Sequence, residues 1–292
     1  MKFRIAKYAS VLVLAFVFIG SNLIGDAIDD LKKKAEQGHA EAQYTLGLAY
    51  SIGEEHGVIQ DYKEAGKWYR KAAEQGHAEA QCALGFIYHK GQGVIQDYKE
   101  AVKWNIKAAE QGQTYSQVRL GNAYLQGQGV AQDDKEAVKW FLKATENRNA
   151  EAQYKLGLMY NNGQGVTQDY KEAVKWYRKA AEQGHADAQS NMGFMYFFGH
   201  GVTQDYKEAV KWCRKAAEQG DVLAQFSLGF MYSNGVIQDY VQAHAWYNVA
   251  SANGSKKGAE KRDNVAKRMT PEQIAKAQEL AKQYFEKYQP KK

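Results

Sequence analysis

The sequence contains only two cysteines in 292 residues. Cys82 and Cys213 stand three copies apart in a segment that repeats along the chain. A disulfide requires Cα atoms within roughly 7 Å, and three stacked repeats separate the two residues by far more. We therefore predict no disulfide and interpret both as small buried apolar residues, rather than as a metal-binding or redox pair.

Signatures of nucleotide binding and catalysis are also missing. The Gly-x-Gly turns, such as Gly163-Gln164-Gly165, follow predicted helices rather than strands. They lack the third glycine and the lysine of phosphate-binding loops. No Ser/His/Asp or Cys/His set has positions that could meet, and no paired carboxylates have a reason for a perturbed pKa. We predict no catalytic residues and no cofactor.

Three histidines are the remaining candidates for a metal site. His39, His77 and His185 occupy one column of the repeat, just before a predicted helix. A metal site needs ligands that converge on one ion at about 2.0–2.1 Å, whereas these residues stand at least one full repeat apart. We interpret them as polar residues at helix starts and predict no metal.

The repeats have no surplus of positive charge, although the whole chain has a formal net charge of +6. Residues 255–292 contain 11 basic and 5 acidic side chains, whereas residues 28–254 contain 25 basic and 27 acidic ones. Nucleic-acid binding needs a basic face along the binding surface, so we predict no nucleic-acid partner. A weak contact of the basic C-terminal segment with the cell envelope or another anionic surface is a further expectation.

What the chain does have is a strict internal repeat, represented by residues 150–185. When the copies are aligned, a glutamine recurs every 36 residues at the position of Gln153. A tryptophan recurs every 36 residues at the position of Trp176. A period of 20 to 50 residues is typical of solenoids and other repeat arrays.

Each repeat contains two amphipathic helical patterns joined by a glycine turn. In the first, Ala152, Leu156 and Met159 fall on one face, and Gly157 lies in mid-helix. Glycine costs about 1 kcal/mol there relative to alanine, and its recurrence predicts a close approach of two helices. In the second, the spacing of Trp176 predicts a ring that lies in a slot left by alanines of the adjoining helix.

The start of the second helix has its own recurring signal. Asp169 is followed three residues later by Glu172, and the same acidic pair stands at the start of the second helix in other repeats. This spacing predicts an N-cap with a reciprocal partner, a capping box. Thr270, Pro271 and Gln273 predict the same kind of start for a terminal helix.

The segments AEAQYKLGLMYNNGQGV and QDYKEAVKWYRKAAEQG resemble the Sel1-like repeat, a relative of the tetratricopeptide repeat. The resemblance covers about residues 28–288 and implies an all-α fold. We expect a right-handed α/α solenoid, or superhelix, of about six helix-hairpin repeats with terminal capping helices. The resemblance also implies an adaptor that holds other proteins.

The expected domains follow from the repeat boundaries. Residues 1–27 form a signal peptide, residues 28–254 the solenoid and residues 255–292 the basic C-terminal capping helices. Within the solenoid we place six repeats, at 38–75, 76–111, 112–147, 148–183, 184–219 and 220–253.

The first 27 residues have the organisation of a secretory signal peptide. Basic residues precede an apolar run from Ala9 to Ile19, and small residues follow at Gly25 and Ala27. The run is shorter than the roughly 20 residues of a membrane span. We expect export to the periplasm or the exterior; an uncleaved anchor in the inner membrane, reaching Ile24, is the alternative.

A binding surface is expected where the first helices line the concave face, because residues there vary while the packing columns stay fixed. Repeat 5 has Phe197 and Phe198 where repeat 4 has Asn161 and Asn162. Exposed apolar groups often mark interaction sites, although some of these aromatic rings could instead pack between helices. The predicted partner-binding residues are Tyr44, Phe86, Arg119, Asn122, Tyr154, Lys155, Phe194, Phe197, Phe198, Phe226 and Phe230.

Two functional hypotheses follow. The first is a non-catalytic scaffold that binds a protein or peptide segment on the concave face, with Phe197 and Phe198 as anchors and with Arg119 and Asn122 as polar contacts. The second is a cell-envelope factor that recognises peptidoglycan or its fragments, with weak hydrolase activity as an added option. The resemblance alone suggests the second, since some exported relatives have been linked to the wall.

Overall fold

The computed structural model describes residues 21–53, 58–234 and 238–288. These residues form helices and no strand. The predicted signal peptide lies mostly outside them, and only its last residues are described, as the first turns of α1. Across the described ranges, no helix has both the length and the apolar content that a membrane crossing requires.

The chain divides into two compact units, residues 1–133 and 134–292. The helices of the first unit are α1 (Ser21–Glu36), α2 (Ala40–Ile52), α3 (Tyr62–Glu74), α4 (Ala78–Lys90), α5 (Tyr98–Glu110) and α6 (Thr114–Gln126). The helices of the second unit are α7 (Asp134–Glu146), α8 (Ala150–Asn162), α9 (Tyr170–Glu182), α10 (Ala186–Phe198), α11 (Tyr206–Ala217), α12 (Val222–Asn234), α13 (Tyr240–Ala252), α14 (Lys256–Ala266) and α15 (Pro271–Lys287). In both units consecutive helices form the hairpins of an all-α solenoid, as predicted.

The mid-helix glycines are explained by close helix–helix approach, which confirms the prediction. A Cβ on Gly157 would lie 2.4 Å from Cδ1 of Tyr177, and one on Gly47 would lie 2.7 Å from Cδ1 of Tyr69. No side chain fits between the helix backbone and these rings. Glycine at this position therefore lets the two helices of a repeat pack ring against backbone.

The tryptophan prediction was only partly right. Trp104 and Trp212 are buried, but Trp176 is half-buried, with Nζ of Lys179 4.1 Å from its ring centroid. The residue after the tryptophan, Tyr177 in this repeat, is the one that fills the slot between the helices. One residue along a helix turns the side chain by about 100°, so the indole and the ring that follows it face different neighbours.

Buried glutamines tie successive repeats together. Nε2 of Gln189 donates to the carbonyl oxygen of Ala181 at 3.0 Å, and its Oε1 accepts from Nε2 of Gln219 at 2.8 Å. Gln81 makes the same two bonds, to Ala73 and from Gln111. A buried amide is stable only when its donor and acceptor are satisfied, so this column is fixed by hydrogen bonding.

Helix starts confirm the predicted caps but not the full capping box. Asp169 accepts hydrogen bonds from the backbone N–H groups of Lys171 and Glu172. The Glu172 side chain does not return to the backbone and pairs with Lys175 instead. At α15 the reciprocal box does form, between Thr270 and Gln273.

Candidate functional site

All eleven predicted binding residues lie on first helices of the repeats. The first unit contains Tyr44, Phe86, Arg119 and Asn122, on α2, α4 and α6. The second contains Tyr154, Lys155, Phe194, Phe197, Phe198, Phe226 and Phe230, on α8, α10 and α12. The two sets belong to different units, and each is described with its own neighbours.

Tyr154 packs against a histidine rather than projecting freely. Its ring stacks on His185, with centroids 4.6 Å apart and planes at 27°. Nδ1 of His185 accepts a bond from the backbone N–H of Ala188, which leaves the proton on Nε2 to be donated to Glu151 at 3.1 Å. The histidine is a helix cap, as the sequence indicated, and Tyr154 is a packing residue of this arrangement.

The first unit contains the same arrangement. Tyr44 stacks on His77 with centroids 4.8 Å apart, and Nε2 of His77 lies 2.9 Å from a carboxylate oxygen of Glu41. The backbone N–H of Ala80 bonds to Nδ1 of His77. His39, in the same column, makes no side-chain cap bond. Tyr44 therefore also serves to join two repeats.

The hydrogen-bonded pair of His185 and Glu151 should make the free energy of unfolding depend on pH in the acid range. The hydrogen bond from His185 holds the pKa of Glu151 below its ordinary value of 4.5, and Lys155 adds to this. A carboxyl group whose pKa is lower in the folded than in the unfolded protein stabilises the fold fully above its unfolded pKa. This contribution is lost as the pH falls through the folded pKa. We expect Glu151→Gln to flatten the acid side of the stability curve of the second unit, as measured by urea unfolding from pH 6 to pH 3. Glu182→Gln, on an exposed position of α9, is the control; equal flattening there would contradict the assignment.

Exposed rings cluster at the ends of α10 and α12. We define the aromatic patch as Phe194, Phe197, Phe198, His200 and Phe230. Phe197 is its centre, with ring centroids 4.9 Å from Phe198 and 5.8 Å from Phe230, both edge to face. Phe198 is also nearly parallel to Phe194, at 6.5 Å and 8°. The rings therefore form one connected surface.

Exposure is unequal within the aromatic patch. Phe198 is 55% exposed and Phe230 40%. Phe197 is partly buried, packs against the core of the second unit and lies 5.2 Å from the Tyr206 ring. Phe197 thus supports the surface, and Phe198 and Phe230 present it to solvent.

His200 extends the aromatic patch towards the preceding repeat. Its ring stacks on Tyr170 at 4.8 Å and 19°, and lies 5.7 Å from Phe198. Gly201 makes this possible: it has φ +69°, and a Cβ there would lie 2.3 Å from the carbonyl oxygen of Tyr170. The turn is thereby pressed against the start of α9.

Phe226 and Lys155 are engaged with neighbours. The Phe226 ring lies 5.3 Å from that of Tyr247, which in turn fills the slot at Gly229. Nζ of Lys155 lies 3.4 Å from a carboxylate oxygen of Glu151. Both side chains therefore have partners within the second unit.

The first unit has a cationic surface on α4 and α6. The guanidinium of Arg119 lies 5.6 Å from the ring centroids of both Phe86 and Tyr115. Asn122 follows one turn later on α6 and is half-buried. His89, at the end of α4, has its pKa lowered by burial and by the positive charges of Arg119 and Lys90.

Cys82 in the first unit and Cys213 in the second are free thiols. Burial raises the pKa of Cys213 to about 12 and also raises that of Cys82. A thiol is nucleophilic as the thiolate, so the raised pKa values lower the reactive fraction of both thiols at neutral pH. Residues 21–53, 58–234 and 238–288 contain no group of three or more His, Cys, Asp or Glu side chains that could hold a metal ion.

Sequence reasoning missed three members of these surfaces. Tyr170, His200 and Tyr115 were not predicted, although the sequence contained a signal for two of them. His200 stands where repeat 4 has Gln164, and Tyr115 stands where repeat 4 has Glu151. At both positions, the residue differs from the one at the equivalent position of repeat 4, and this difference could have identified them.

Comparison with known proteins identifies the repeat. A family model described as Sel1 repeat matches residues 40–77, 78–113, 114–149, 150–185, 186–221 and 222–255. Each match begins two residues later than the repeat predicted from the sequence. No curated protein matches the chain.

Among solved structures, the chain is similar to a Sel1 repeat protein from Oxalobacter formigenes. The two are 33% identical, with 78% of this chain and 93% of the other covered and a TM-score of 0.72. It is also similar to a protective antigen of uropathogenic Escherichia coli, with 30% identity, 91% and 88% coverage and a TM-score of 0.47.

Proposed function

Because the chain belongs to the Sel1 repeat family, we propose that it is a non-catalytic adaptor that binds a segment of a partner protein at the aromatic patch. Proteins of this family generally serve as scaffolds for protein–protein interaction and are typically not enzymes. Within this patch, Phe198 and Phe230 make the contact.

The observation that carries the proposal is the exposure of connected aromatic rings on one surface. A contiguous patch of exposed apolar side chains often marks an interaction site, and buried aromatic anchors dominate the energetics of interfaces. Phe198 occupies a position where repeat 4 has Asn162, so the fold does not need a phenylalanine there. The partner should present apolar side chains to this surface.

Binding should depend on Phe198 and not on exposed apolar residues in general. We expect Phe198→Asn to weaken partner binding at least tenfold, which corresponds to about 1.4 kcal/mol, and to leave the melting temperature nearly unchanged. Leu142→Arg is the matched control: Leu142 is 38% exposed, and Arg178 occupies its position in the next repeat.

The measurement is photo-crosslinking in cells, with a crosslinking amino acid at position 198 or at position 142. A covalent adduct with a protein from position 198 alone, identified by mass spectrometry, is the expected result. Cosedimentation of the protein with purified wall sacculi, without a protein adduct, would instead favour an envelope factor that recognises peptidoglycan. Unfolding of Phe198→Asn would show that this ring belongs to the core.

We also propose that the protein is exported by residues 1–27. The support is the arrangement of a basic segment, an apolar run and small residues at the start of the chain. Mass spectrometry of the protein isolated from its producing cells tests this, because cleavage shortens the chain by about that segment. A full-length chain in the membrane fraction would indicate an uncleaved anchor.

A further inference from the structure

Repeat 3 differs from repeat 4 at two linked positions on its first helix. In repeat 4, Glu151 and Lys155 lie four residues apart and form an ion pair of 3.4 Å on α8. In repeat 3 the corresponding residues on α6 are Tyr115 and Arg119. The carboxylate has been replaced by a phenol, while a cation has been kept.

Arg119 is consequently held by aromatic rings and not by an acid. Its guanidinium lies 5.6 Å from the rings of Phe86 and Tyr115, and Nη1 donates to the Tyr115 hydroxyl at 3.3 Å. Its Nε is buried and has no hydrogen-bond partner. Within the described part of the chain, no carboxylate forms a salt bridge with Arg119.

The surroundings of Arg119 add positive charge. Besides burial, the positive charges of Arg119 and Lys90 lower the pKa of His89 at the end of α4. The carboxylate in the first turn of α4, Glu79, faces His77 at 3.5 Å. Among the described residues of α4 and α6, Arg119 therefore has aromatic neighbours and no carboxylate paired with it.

We propose that Arg119, held between Phe86 and Tyr115, binds a carboxylate of an acidic peptide segment. A guanidinium forms short, charge-assisted hydrogen bonds with a carboxylate, often two in parallel. The neighbouring rings and the bond to the Tyr115 hydroxyl restrict the guanidinium in advance, and so less freedom is lost on binding. Tyr115, 41% exposed, supplies an apolar contact beside the guanidinium.

The inference rests on the proposed function only in taking a protein segment as the ligand. It concerns the first unit, whereas the aromatic patch belongs to the second. Each can therefore fail without the other, since crosslinking at position 198 does not depend on Arg119.

An array of 12-residue peptides tests the proposal on the full chain. Each peptide rich in Asp and Glu is paired with a copy that contains Asn and Gln instead. We expect the protein to bind a subset of acidic peptides at least tenfold more tightly than their amide copies. Added salt should weaken this binding, because it screens the charges.

Three variants distinguish carboxylate recognition from nonspecific peptide binding. Arg119→Gln should lose the preference for acidic peptides. Tyr115→Glu should also lose it, because a glutamate at this position pairs with the cation four residues later, as Glu151 does in repeat 4. Lys155→Gln is the matched control and should bind as the wild type does, since Lys155 already has an internal partner.

Three results would overturn the inference. They are equal binding of acidic and amide peptides, wild-type preference in Arg119→Gln, and no binding of any peptide on the array. Circular dichroism and the melting temperature of each variant show whether it is folded. If Arg119→Gln fails to fold, Tyr115→Glu decides the question, because it changes an exposed position and leaves the arginine in place.

Discussion

Replacing Trp246 with alanine should lower the free energy of unfolding of the second unit by about 3–5 kcal/mol, the range for removing a large buried aromatic side chain. Trp246 on α13 is fully buried, and its ring stacks on Tyr284 at 4.4 Å and on Tyr288 at 6.2 Å. Those tyrosines belong to the C-terminal cap. The substitution should therefore loosen α15 first.

The matched control is Trp176→Ala, in the same column of the repeat. Trp176 is half-buried, and the apolar area lost from its site is smaller, so we expect about 1–2 kcal/mol. Trp246→Phe should preserve most of the stacking and cost less than the alanine variant.

Urea unfolding and hydrogen exchange measure the tryptophan variants. In an array where each repeat contacts its neighbours, damage stays local. Loss of protection in α13 to α15 with α9 unchanged is the expected pattern for Trp246→Ala. An equal loss for both alanine variants would mean that burial does not distinguish these two rings.

The second large effect is expected at the slot between α8 and α9. Tyr177→Ala should cost about 3–5 kcal/mol, because the buried ring that packs on the backbone at Gly157 is removed. Gly157→Ala alone should cost about 1–3 kcal/mol by overpacking, since the new methyl group would lie 2.4 Å from the ring.

The double variant is the decisive measurement. With the ring absent, the methyl group of Gly157→Ala enters a cavity and gains helix propensity instead of causing a clash. We expect the double variant to be more stable than Tyr177→Ala, so that the two effects are strongly non-additive. Additive costs in urea unfolding would show that Gly157 and Tyr177 do not share one slot.

The two proposed binding surfaces were not equally visible in the sequence. Phe197 and Phe198 were predicted together as anchors, but the structure turns Phe197 onto the core and leaves Phe198 in solvent. Arg119 was predicted as a polar contact. Its position between Phe86 and Tyr115, on two helices one repeat apart, became evident only from the fold.

The sequence by itself determined the helices, their ends and the repeat. These features depend on residues a few positions apart: Asp169 caps α9 through N–H groups two and three residues away, and Thr270 with Gln273 closes a local box. Such short-range contacts follow from residue spacing along one helix. The 36-residue period added that successive copies form similar helix hairpins that stack on one another.

Only the tertiary structure decided which rings are core and which are surface. Neighbours such as Trp176 and Tyr177, or Phe197 and Phe198, point about 100° apart on one helix, and a wide apolar stripe admits either. The choice depends on the rotation of each helix against another that lies a hairpin or a whole repeat away. Contacts such as His200 on Tyr170, which are 30 positions apart in the sequence, are set by that rotation and by Gly201, and not by any local preference.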